Sequence, residues 1–146
     1  MLKTDFILIS ITQLAVNSLV YAYFIRKQGQ LYLQETLSYR NMFNTALVGL
    51  TPGYCINIAI QMTPVFDNIF QTNTIAAYVL ISLGYLVIAS VISILTTHWY
   101  IQRFSSYLLA IEQKKYWLFL LLSYIKSTIV LVLLIIIFVI FQVLVS

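Results

Sequence analysis

The stretch "STIVLVLLIIIFVIFQVLV", Ser127–Val145, decides what kind of fold this chain can have. It carries no charge and is dominated by Ile, Leu and Val. A run of about 18 or more such residues reads as a helix that crosses the hydrocarbon of a bilayer. The rest of the chain agrees. Of its 146 residues, 62% are hydrophobic and 8% are charged, against about 25% charged in an ordinary soluble domain. Eight Lys and Arg with four Asp and Glu cannot cover a core of this size with polar surface, so lipid has to be the solvent. The net charge of +4 does not point to nucleic acid, because the basic residues gather at the boundaries of the apolar runs.

Working back towards the N-terminus, length and charge define four spans: Phe6–Ile25, Phe43–Thr63, Thr74–Thr97 and Leu118–Val145. The expected fold is all-α, a single polytopic four-helix transmembrane domain covering residues 1–146. The first span follows Lys3 as a signal peptide would, but no small-x-small cleavage pattern follows it. It ends instead in "YAYFIRK", and is read as a retained helix. Arg26, Lys27 and Arg40 lie in the first connection and Arg103, Lys114 and Lys115 in the third. The second connection, around "PVFDNIFQTN", has Asp67 and no basic residue. The positive-inside rule places the two basic connections in the cytoplasm and both termini on the other side. Tyr21, Tyr23, Phe24, Trp99, Tyr100, Tyr116 and Trp117 mark the same boundary, where amphipathic rings sit among headgroups. The basic connections resemble each other, but any membrane hairpin with a basic turn has this pattern, so a duplicated unit is the lesser reading.

Polar and small residues inside the spans fall on stripes. Ser10, Gln13, Asn17 and Tyr21 share one face of the first helix at about 3.6 residues per turn. Ala46, Gly49, Gly53, Asn57 and Gln61 do so on the second, and Ser82, Ser90, Ser93 and Thr97 on the third. Bulky aliphatics occupy the remaining circumference. Between apolar helices in lipid, close backbone approach and interhelical hydrogen bonds hold the bundle, so these stripes should face protein. Asn57 and Gln61 are expected to pair with Asn17 or Gln13. Pro52 frees the Val48 carbonyl, which needs a partner from a neighbouring helix or water. The sharper reading makes the Asn17/Asn57/Gln61 region an ion or solute site. It lacks the ionisable group that coupled transporters place there, since Asp5 and Asp67 are both peripheral. Lys126 is the one charge within a span. It is expected to snorkel towards Lys114 and Lys115, the alternative being a polar cavity or an acid on a partner subunit.

Chemistry is sparse. One histidine, His98, and one cysteine, Cys55, are too few for a zinc or iron site, and Cys55 has no partner for an internal disulfide. No nucleophile elbow, phosphate-cradling glycine loop or H-E-x-x-H occurs. No catalytic, metal or cofactor residues are therefore assigned. The layout and "YRNMFNTALVGL" (Tyr39–Leu50) resemble small bacterial inner-membrane proteins, but the likeness covers only a few residues and implies no residue role. The expected function is a non-catalytic accessory or assembly subunit of a larger membrane complex, or a homo-oligomer. A small channel or transporter is the alternative, and an immunity or lysis-control protein a third possibility. The expected partners are the bilayer and other membrane subunits or copies of the chain. The expected location is a bacterial inner membrane, with a mitochondrial membrane as second choice.

Overall fold

The computed structural model describes residues 3–34, 36–62 and 75–145; the connection holding Asp67 lies outside them. Four long helices account for nearly all of the described chain: α1 (Lys3–Leu33), α2 (Tyr39–Met62), α3 (Ile75–Phe104) and α4 (Gln113–Val145). Each contains a segment long and apolar enough to cross a membrane: Ile7–Leu33, Tyr39–Ile60, Gly84–Phe104 and Lys115–Ile137. This is the architecture of a multi-pass membrane protein.

The helices outrun the spans read from hydropathy. α1 continues eight residues past Ile25 and α3 seven past Thr97, because neither "RKQGQLYL" nor "HWYIQRF" contains a proline and the one poor helix former, Gly29, sits in a tight contact with Leu37 and Leu108 that holds the turn in place. A charge ends a hydrocarbon span, but it does not end a helix. α1 stops at Gln34, whose φ of 55° is left-handed and whose N–H bonds the Gln30 carbonyl at 2.9 Å. That is the αL termination, in which the first residue past the helix closes a bond to the last full turn. Between α3 and α4 the chain makes one turn of 3-10 helix, Ser106–Ala110.

Both connections lie at the same end of the bundle and pack on each other. They meet over Gly29, where a Cβ would sit 2.6 Å from Leu37 Cδ1 and 3.4 Å from Leu108 Cδ2. Arg26 Nε donates to the Leu37 carbonyl at 2.8 Å, which ties the first connection to α1. Above this floor the bundle is solid. Tyr21, Ala22, Ile25, Met42, Ala46, Ile101, Leu108, Phe119 and Leu120 are all at 0% exposure.

Packing is not symmetric around the ring. α1 packs extensively on α2, α2 on α3 and α1 on α4, whereas α3 and α4 touch only narrowly. The second hairpin is therefore no copy of the first: α1 and α2 are partners, while α3 and α4 are each held by a different neighbour. The consequence is a seam between α3 and α4 that opens in the half away from the connections.

A polar cleft between the third and fourth helices

The glycine face of α2 meets α3. A Cβ on Gly49 would collide with the Thr97 hydroxyl and lie 3.1 Å from Thr97 Cβ, and one on Gly53 would lie 3.2 Å from Ser93 Oγ. Ser93 and Thr97 are themselves buried, and so is Ser10 on α1. Ser10, Gly49, Gly53, Ser93 and Thr97 thus face protein, the side chain of Ser82 lies outside the described set, and Leu86, Val87, Ile88, Val91 and Leu95 of α3 are exposed.

The carboxamides, however, do not pair with each other. Asn17 donates through Nδ2 to Tyr54 Oη, not to Asn57. The reason is rotational: residues on a helix advance about 100° each, so pointing Gly49 and Gly53 at α3 swings Tyr54, one position on, towards α1. Asn57 falls between, half-buried, and its carboxamide makes no hydrogen bond to protein among the described residues. Gln13 is exposed at the mouth of the cleft. Gln61 lies in the last turn of α2, with its side chain outside the described set. Pro52 is accommodated without breaking α2. Hydroxyls serve carbonyls on either side of it: Thr51 Oγ1 donates to Leu47 at 2.7 Å, and Tyr85 Oη donates to the Gly53 carbonyl at 3.0 Å.

These groups border a cavity of about 280 Å³ between the four helices. Its polar floor is made by Asn17, Asn57, Tyr54, Tyr85 and Tyr124, with Ser90, Ser93, Ser127 and Thr128 beside them, and its wall by Leu131, Val132 and Ile135. A second opening of about 460 Å³ between α1 and α4 shares Gln13, Asn17, Tyr54, Leu131 and Ile135 with it. Among the described residues no charged side chain lines either chamber. Lys126 is exposed on α4 and lines neither. At the connection end, His98 Nδ1 lies 2.9 Å from Tyr116 Oη and its ring 4.6 Å from that of Trp117, an aromatic collar between α3 and α4. Cys55 is exposed and lines neither chamber of the cleft.

Sequence reasoning missed the α4 side of the site. Ser123, Tyr124 and Ser127 recur at three- and four-residue spacing, a stripe like those of the other helices, but Lys126 drew attention to the wrong face. Tyr54 and Tyr85 were legible as well, since a tyrosine far from either headgroup layer is not an anchor. No family profile, curated protein or solved structure matches the chain.

Proposed function

We propose that this is a non-catalytic membrane protein that acts through other components of the bilayer, as an accessory or assembly subunit of a larger complex or as a homo-oligomer. The observation that carries this reading over its rival is the solid half of the bundle. A channel or carrier needs a route from one face to the other. Here Tyr21, Ile25, Phe119 and Leu120 fill the bundle at the connection end, all fully buried, and among the described residues no Asp, Glu, Lys, Arg or His lines the cleft. In the same reading the basic connections face the cytoplasm and both termini the opposite side, in a bacterial inner membrane or, as second choice, a mitochondrial one.

Purification of the full chain in mild detergent, with native mass measurement, tests the proposal. A stoichiometric foreign subunit or a defined number of copies is the expected result. A monomer that carries ions or solutes across liposomes, with flux abolished by Asn57→Leu and kept by Ile137→Ala, outside both chambers, would establish the rival instead.

A further inference from the structure

The cleft combines three properties. First, it opens sideways between α3 and α4, into the region where exposed aliphatic residues face acyl chains. Second, it holds polar groups with hydrogen-bonding capacity left over. Tyr54 Oη accepts from Asn17 and keeps its own proton to donate. Tyr85 Oη donates to Gly53 and keeps its lone pairs. The Asn57 carboxamide and the Tyr124 hydroxyl make no protein hydrogen bond among the described residues. In hydrocarbon an amide or hydroxyl without a partner is costly, because no solvent molecule replaces the bond. Third, charge is absent from the lining among the described residues, so nothing there offsets the desolvation of an ion, a phosphate or an ammonium group.

From this geometry we infer that the cleft binds a neutral amphiphile, a lipid whose small uncharged head carries a hydroxyl group. The head reaches Asn57, Tyr54 and Tyr124, and the tail leaves through the α3/α4 seam along Leu131 and Ile135. A hydroxyl both donates and accepts, which matches a floor that offers both. The cavity, about 280 Å³, is at the lower edge of the range for small-ligand sites. It therefore fits a head and the start of a tail, with the rest of the tail lying in the bilayer. This inference is independent of the subunit proposal, since a chain without protein partners still presents the cleft.

The test is photo-crosslinking of the purified full chain in nanodiscs. Two probes with the same diazirine-bearing acyl chain are compared: a diacylglycerol and the corresponding phosphatidic acid. The diacylglycerol is expected to label α3 and α4 around Tyr85, Tyr124 and Leu131, as read by peptide mass spectrometry. Unlabelled diacylglycerol should compete and phosphatidic acid should not. Asn57→Leu and Tyr124→Phe should each weaken labelling about two- to ten-fold, the loss expected when one ligand hydrogen bond goes. Tyr124→Phe keeps the ring and guards against misfolding, and Ile137→Ala, outside both chambers, should leave labelling unchanged. Equal labelling by the charged probe overturns the inference. So does labelling indifferent to both cleft variants, or a partner's transmembrane helix crosslinked in the seam in place of lipid.

Discussion

Gly49 shows how much of this bundle depends on single atoms. Its Cα lies so close to α3 that a methyl group would displace the Thr97 hydroxyl, which is itself bonded to the Ser93 carbonyl at 2.7 Å. Gly49→Ala is therefore expected to destabilise the fold by about 1–3 kcal/mol, the usual cost of overpacking. Gly84→Ala should not destabilise it, since nothing lies within 4 Å of its Cβ position. Reversible unfolding in micelles measures both. If the cause is the collision, adding Thr97→Ala to Gly49→Ala recovers part of the loss, a coupling expected only of residues in contact. A second residue carries a defect. The Tyr21 hydroxyl is fully buried beside Thr97 without the geometry of a hydrogen bond, while its ring packs edge-on against Tyr124 at 5.7 Å. Tyr21→Phe keeps the ring and removes the unpaired group, so it should leave stability unchanged or raise it by about 1 kcal/mol. A loss of more than that would mean the hydroxyl has a partner.

At the scale of the element, helix ends were the least legible feature, for a physical reason. Hydropathy reports where an apolar run stops, and α1 and α3 continue as helices beyond it. The stop of α1 is set by Gln34, a non-glycine residue in the left-handed region, where L side chains are strained by roughly 1–2 kcal/mol. Gln34→Gly relieves that strain and keeps the bond to Gln30. The expected result is a gain of up to about 1 kcal/mol, discounted because glycine also loosens the unfolded chain. A loss would show that the Gln34 side chain holds the turn. The faces of the helices were more legible than their ends. Gly49, Gly53, Ser93 and Thr97 face protein as their spacing implied, but the partner of each face was not readable. Asn17 meets Tyr54 and not Asn57, because helix rotation about its own axis is chosen by the best-packed neighbour.

For the molecule as a whole, the two connections meeting over Gly29 require that both basic segments sit on one side of any membrane the bundle spans. α4, at 33 residues, is about 50 Å long, enough to carry its far end to the other side. In a Cys55→Ser background, an impermeant maleimide should label Ser38→Cys and Gln113→Cys from the same face of oriented vesicles and Val143→Cys from the opposite one. Labelling of Ser38→Cys and Gln113→Cys from opposite faces would contradict the packing at Gly29. The open α3/α4 seam is likewise a whole-molecule property, a product of four helices held by three extensive interfaces.

The four long apolar helices, the shared end of the basic connections and the inward turn of Gly49, Gly53, Ser93 and Thr97 were all written in one dimension. Each depends on transfer between water and hydrocarbon, or on periodicity along one helix. Neighbour order, the solid inner half and the cleft at Asn57, Tyr54, Tyr85 and Tyr124 required the assembled bundle. In a bilayer an aliphatic side chain is about equally well solvated by lipid and by protein, so hydropathy cannot say which helix touches which; only the fit of side-chain shapes between helices decides that.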